Sequence, residues 1–186
     1  IKQIIMNKKE DKLIVKTKHL DMYKTEKGFF YCQRRSVNSI AVLCFKKIEN
    51  EFFFLIRYQP MPQVEEKKVW NQLYPCPITG SIEKNENPLT SAVREVLEEG
   101  GITINESDLI VINPSVASTQ MNEKVFYYLV DVTNKKIETP QNDGSIFEAV
   151  SKNIWVSQKE LETIISNNLY LSSLLTCYYY FLKLVQ

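Results

Sequence analysis

Apolar residues recur along this chain in two rhythms, one of period near 3.6 and one of period 2. From Asn87 to Gly101, Leu89, Ala92, Val93, Val96 and Leu97 fall at i, i+3, i+4, i+7 and i+8. That spacing predicts an amphipathic helix with one apolar stripe turned to a core. Asn87 suits an N-cap, and Pro88 suits the first helical position, where its missing N–H costs nothing. Gly100-Gly101 suits the exit, because glycine tolerates the left-handed backbone beyond a C-terminus.

Elsewhere the pattern is strand-like. Residues 39–45 (SIAVLCF) and 52–57 (FFFLIR) are β-rich runs joined by a polar turn over 46–51. Gln59-Pro60-Met61-Pro62-Gln63 reads as the end of the second strand, 65–68 (EEKK) as a solvated loop, and 69–80 as an extended lead into the helix. Further strands are predicted over 109–116, 124–132 and 153–156, and two terminal helices over 158–166 and 169–184. Near the start, 12–17 (KLIVKT) and 28–33 (GFFYCQ) alternate, with turn residues from Asp21 to Gly28. This predicts a small antiparallel hairpin or three-stranded sheet. Strands on both sides of a helix, followed by terminal helices, indicate an α/β fold with a mixed sheet between helices. The aromatic run Tyr178-Tyr179-Tyr180-Phe181 reads as packing.

Charge changes the picture of the central helix. Glu95, Glu98 and Glu99 share a second face at i, i+3 and i+4. Like charges so crowded repel each other and call for a cation. Arg94 can offset Glu98 through an i, i+4 pair. The remaining carboxylates suit a hard divalent ion such as Mg²⁺, which takes oxygen ligands and often binds one or two carboxylates together with substrate phosphates. The alternative is a solvated acidic face.

Composition narrows the classes. A chain of 186 residues with 44% hydrophobic content is one domain, here with a small appendage. A net charge of +1 gives no electrostatic case for nucleic acid or a membrane surface. No apolar run approaches the roughly 18 residues of a membrane span. Cys32, Cys44, Cys76 and Cys177 are scattered without a CxxC pair, which fits reduced thiols and a cytoplasmic location. No secretory leader pattern is visible. The one histidine, His19, lies in a polar stretch, so a His-based triad or zinc site is not expected. Carboxylates and a metal must carry any catalysis.

Residues 80–102, GSIEKNENPLTSAVREVLEEGGI, resemble the Nudix box, G-x5-E-x7-R-E-U-x-E-E-x-G-U with U a bulky aliphatic. Gly80, Glu86, Arg94, Glu95, Val96, Glu98, Glu99, Gly101 and Ile102 all stand in register. The resemblance implies the α/β/α sandwich of Nudix hydrolases. Over nearly its whole length the chain is similar to the ADP-ribose pyrophosphatase branch, which implies an N-terminal β appendage over 1–35, exchanged between subunits of a homodimer, and a Nudix domain over 36–186. Arg34-Arg35 before Val37 resembles the junction into the first core strand. Leu55-Ile56-Arg57 with Pro60-Met61-Pro62 resembles a segment that holds substrate. Residues 113–128 resemble the loop and strand after the box. Residues 143–150 (DGSIFEAV) resemble a loop that carries an extra catalytic glutamate in some members. Two positions depart. Gln59 stands where the branch often has arginine. Cys76-Pro77-Ile78-Thr79-Gly80 stands where it often has Glu-x-Pro-Ala-Gly, which loses a carboxylate but keeps the carbonyl at Thr79.

The resemblance implies Mg²⁺-dependent hydrolysis, with Mn²⁺ as an alternative ion, of the pyrophosphate in ADP-ribose or a related nucleoside diphosphate sugar. The implied metal ligands are Glu95, Glu98, Glu99 and the Thr79 carbonyl. Arg94 orients the box glutamates, and Glu86 either binds metal or steadies the loop. The general base is Glu148 or a water held by Glu98. Arg35 and Arg57 are candidates for phosphate contacts, and Tyr58 or Trp70 for stacking adenine; strand-edge or core packing is the alternative for each. Two other readings stay open. One is hydrolysis of another nucleoside diphosphate-linked molecule, such as a dinucleoside polyphosphate, coenzyme A or a capped RNA end. The other is a non-catalytic nucleotide-sugar sensor.

Overall fold

The computed structural model of the protein describes residues 11–140 and 146–186. Ten strands make one curled mixed sheet among these residues, with three α-helices packed on its two faces. The first three strands, β1 (Lys12–Lys16), β2 (Leu20–Lys24) and β3 (Phe30–Arg34), pair antiparallel in sequence order. The turn expected from Asp21 to Gly28 begins later, because Asp21 to Lys24 belong to β2. The reversal is confined to 25–28, where Gly28 sits at φ 88 and donates its N–H to the Thr25 carbonyl at 2.9 Å. Tyr23 and Tyr31 lie directly opposite each other and stack with centroids 5.4 Å apart. Such cross-strand aromatic pairing outweighs the polar composition of the segment.

The core is built around β4 (Ser39–Ile48), β5 (Glu51–Pro60) and β9 (Met121–Asp131). The sheet runs β1-β2-β3-β9-β4-β5-β10, where β10 is Lys152–Ser157, and β8 (Leu109–Ser118) pairs with β9. β4 and β9 are parallel and β4 and β5 antiparallel. β4 is buried on both faces, as its unbroken apolar run requires. Ile40, Val42 and Cys44 face one layer with α1 (Pro88–Glu98), while Ala41, Leu43 and Phe45 face the other with α2 (Gln158–Asn167) and α3 (Ser172–Leu184). Strand alternation thus generates the expected α/β/α sandwich. The aromatic run behaves as packing: Phe181 lies within 5.0 Å, centroid to centroid, of Phe45, Phe52 and Phe54.

Three local expectations shift. β5 continues through Gln59 to Pro60, because β6 (Leu73–Cys76) pairs with it there, Gln59 opposite Tyr74 and Pro60 opposite Leu73. The last helix starts at Ser172 rather than Leu169, since the Leu171 N–H donates to the Pro75 carbonyl at 3.1 Å and keeps the chain extended before it. Leu97 is exposed, whereas Ser91 and Glu95 are buried beside Ala92 and Val96. The box helix is therefore rolled toward its acidic face. Among the described residues no helix is long and apolar enough to cross a membrane.

One irregularity positions the site. β4 and β5 pair only near their hairpin, from Phe45–Phe54 to Ile48–Glu51, and then diverge. β6 fills one side of the split by pairing with β5, and β7 (Ile78–Ser81) fills the other by pairing with β4. β7 then delivers Thr79, Gly80 and Ser81 alongside α1.

Candidate active site

The start of α1 is closed by its own side chains. Asn87 Oδ1 accepts from the Leu89 N–H at 2.8 Å and the Thr90 N–H at 3.0 Å, with Pro88 in the first turn. Glu86, just before it, accepts from Arg94 Nε and Nη2, both at 3.1 Å, and from Ser91 Oγ at 2.6 Å. The Arg94 hydrogen bonds first, then the Ser91 hydroxyl and the Glu83 N–H, hold the Glu86 carboxyl down at about 2, against the opposing effect of burial. Arg94 also donates from Nη2 to the Ser81 carbonyl at 3.0 Å. One guanidinium thus ties Ser81 and Glu86 to the helix.

Farther along α1 the carboxylates outnumber their cations. Arg94 Nη1 donates to Glu95 Oε1 at 2.7 Å and to Glu98 Oε2 at 2.9 Å. Glu95 is buried against β7, and a Cβ on Gly80 would fall 2.0 Å from its carboxyl carbon. Only glycine permits that approach. Burial raises the Glu95 carboxyl to about 7 despite Arg94. Glu99 accepts from the Thr79 N–H at 3.3 Å, and its Oε1 lies 3.2 Å from Arg57 Nε. Burial raises it too to about 7; Arg57 opposes the shift, while the charges of Glu95 and Glu148 add to it. Glu148 acts on Glu95 in the same sense. The single 3-10 turn Glu148–Val150 therefore holds Glu148 within electrostatic reach of both.

These donors fit a hard divalent cation by chemistry. Three carboxylates and nearby main-chain oxygens supply only oxygen ligands, and burial keeps two of the carboxyls at about 7 despite Arg94 and Arg57. Among the described residues, no three acidic, histidine or cysteine side chains yet surround a common point. The reason is visible: Arg94 holds Glu95 and Glu98, and Arg57 stands beside Glu99. A bound cation would compete with these arginines for the carboxylate oxygens.

A cavity of about 690 Å³ opens at the split in the sheet. Thr79, Gly80 and Ser81 form its wall on the box side, and Arg34, Gln59 and Tyr127 are among its other lining residues. The box glutamates do not line it; they sit behind the β7 wall. Its size is that of a small-molecule site.

The substrate-contact expectations need correction in position. Arg57 is only 2% exposed and spent on Glu99 and Asn153 rather than open to the cavity. Arg35 turns away, donating to the Lys18 and Thr17 carbonyls at 2.8 Å. Its neighbour Arg34 is the arginine on the cavity, bound to Glu123 Oε1 and Ser81 Oγ, each at 2.8 Å. Tyr58 packs toward α2 and α3, on the face opposite the box helix, because β5 alternates and Arg57 takes the α1 side. Trp70 is 54% exposed and is not among the residues lining the cavity. Of the loop over 143–150, Asp143 to Ser145 lie outside the described residues. Glu123, buried on β9, and Arg34 escaped the sequence reading. The doublet Arg34-Arg35 was the available signal, and only strand parity chooses between its members.

Comparison with known proteins bears on the fold and the family. No curated protein matches the sequence. A solved structure described as an ADP compounds hydrolase superposes with a TM-score of 0.62 at 15% identity, over 94% of this chain and 92% of that one. At that identity the likeness concerns the fold alone. The family model of the NUDIX domain matches residues 37–173, most of the chain, and the chain belongs to the Nudix domain family.

Proposed function

We propose that this protein is a hydrolase that cleaves the pyrophosphate of ADP-ribose or a related nucleoside diphosphate sugar, with Mg²⁺ or Mn²⁺ as cofactor. The observation that carries the reading is the crowding of the carboxylates of Glu95, Glu98 and Glu99 on the box-helix side of β7, whose residues Thr79–Ser81 also wall a nucleotide-sized cavity. Glu95, Glu98, Glu99 and the Thr79 carbonyl would hold the cation. When bound, a divalent ion neutralises charge on the phosphates and lowers the pKa of coordinated water. Arg94 keeps Glu95 and Glu98 aligned. Glu148 takes the proton of the attacking water. The water oxygen bonds to one phosphorus, the bridging P–O bond breaks, and the products are AMP and ribose 5-phosphate. Positioning and electrostatics are what such a transfer asks of a protein. Arg34, held by Glu123 and Ser81, is the cavity cation for the second phosphate.

A second reading, another nucleoside diphosphate-linked substrate, is favoured by Gln59, a neutral cavity residue where the ADP-ribose branch often has arginine. We also propose a homodimer assembled through the 1–35 appendage. Leu13, Ile14, Val15, Leu20, Phe29 and Phe30 are exposed on its strands and turn, and apolar patches of this kind mark association surfaces. Free thiols at all four cysteines suit a cytoplasmic setting.

The direct test is incubation with Mg²⁺ and ADP-ribose, following release of AMP and ribose 5-phosphate. A panel of nucleotide sugars, dinucleoside polyphosphates, coenzyme A and capped RNA ranks substrates by kcat/KM. Failure to turn over any nucleotide sugar, with a control enzyme active, sinks the first reading. Binding without turnover of anything would identify a sensor.

A further inference from the structure

Asn153 connects three parts of the molecule. It lies on the edge strand β10, directly opposite Arg57 of β5. Its Nδ2 donates to the Glu99 main-chain carbonyl at 2.6 Å, and its Oδ1 accepts from Arg57 Nη1 at 3.4 Å. Arg57 Nη1 also reaches the Glu99 carbonyl at 3.4 Å. A helix leaves its last carbonyls without internal partners, and here β5 and β10 supply the missing donors at the end of α1. Asn153 also stands a few residues beyond the Glu148–Val150 turn in the chain, and its side chain ties β10 to the end of the box helix.

The Arg57–Glu99 pair is incomplete. Arg57 Nε lies 3.2 Å from Glu99 Oε1, yet this buried nitrogen makes no hydrogen bond. A guanidinium free to turn would form the parallel two-bond pair that carboxylates favour. That pair would occupy about two of the roughly four lone-pair positions of the carboxylate and leave fewer for a metal. Asn153 occupies one end of the guanidinium and fixes the carbonyl beside it.

We propose that Asn153 is a positioning residue for the cation platform: by holding Arg57 Nη1 and the Glu99 carbonyl, it keeps Arg57 from closing fully on the Glu99 carboxylate, which stays available to a divalent ion. The inference rests on Glu99 being a metal ligand. It assigns Arg57 a role through Glu99 rather than through substrate, and it makes the β10 edge part of the machinery.

The test uses Mn²⁺ alone, titrated into the full chain and followed by the electron paramagnetic resonance of the free ion. Wild type is compared with Asn153→Ala and with Asn153→Leu, which fills the space but has no donor or acceptor. Both variants are expected to bind Mn²⁺ about tenfold more weakly, the size typical of lost outer-shell partners. At saturating Mn²⁺ the KM for ADP-ribose should stay at the wild-type value. Adding Arg57→Met to Asn153→Ala should restore Mn²⁺ affinity, because the competing cation is gone. Wild-type affinity in both single variants, or further weakening in the double variant, overturns the proposal while leaving the metal reading intact. If wild type itself binds no Mn²⁺, both the inference and the metal reading fall.

Discussion

The two ends of the box helix use the same residue for opposite purposes. At its start, Glu86 is surrounded by donors and its carboxyl is held down at about 2. About two to three turns into the helix, Glu95 and Glu99 are buried with too little positive charge, and both rise to about 7. Both ends touch an arginine. The difference lies in bookkeeping of hydrogen bonds: Glu86 collects four donors, while Glu95 and Glu98 share a single nitrogen of Arg94. The first end is built to hold the loop, and the second is left short of a cation. Carboxylates of one motif thus differ in how fully their hydrogen bonds are satisfied, and the unsatisfied ones are the candidates for function.

The sharpest way to break this contrast is Glu99→Gln. Removing a charge from the unsatisfied end should lower turnover of ADP-ribose with Mg²⁺ by about 100-fold or more, the scale of about 3 kcal/mol of charge stabilisation. Circular dichroism should still report a folded protein. Near-normal turnover would remove Glu99 from the mechanism. Next comes Gly80→Ala, whose new Cβ needs the space held by the Glu95 carboxyl. Displacing that carboxylate should cost about tenfold in kcat, as small misplacements in a site do. The Tm should fall little, since the end of a side chain rather than backbone must move.

At the satisfied end the balance reverses. Asn87→Ala removes the acceptor for two helix N–H groups, at a cost of about 1 kcal/mol. Thermal unfolding should shift down by about 2–4 °C for a chain of this size, with kcat/KM unchanged. A loss of activity without loss of stability would erase the proposed division.

A further comparison of the two ends is a pH dependence, measured by thermal unfolding in EDTA. Glu95 and Glu99 have folded values of about 7 against an ordinary 4.5, so the folded state binds more protons between those values. Metal-free stability should therefore fall as pH rises from about 4.5 to 7. Glu86 has the opposite sign: its contribution is present above 4.5 and is lost as pH drops toward 2. Added Mg²⁺ should flatten the decline above pH 5. Metal-free stability that climbs from pH 5 to 8 would contradict the unsatisfied carboxylates.

Much of this contrast is legible in the residues themselves. Asn87-Pro88, the acidic triplet and Gly80 identify the helix, its cap and its charge surplus, because each depends on near neighbours. Leu97 misled, since periodicity fixes a stripe but not the roll of the helix; the close approach of Gly80 to Glu95 sets the roll. The sequence also carries the alternation that sends Arg57 and Tyr58 to opposite faces, but which face meets α1 depends on pairing with β6 and β10. The choice of Arg34 over Arg35 follows from the same parity.

The sequence by itself determined the chemistry available: a capped helix, three crowded carboxylates and a glycine that lets one of them lie against the main chain. These are local properties, set by spacing along one element. Tertiary contacts decide which carboxylates remain unsatisfied and where the cavity opens. Arg57, Asn153, Glu123 and Arg34 lie far from the box in sequence. They reach it only because β4 and β5 separate, β6 and β7 fill the gap, and β10 closes the edge. Burial and the count of donors around each carboxylate are properties of that assembly, and no spacing along the chain encodes them.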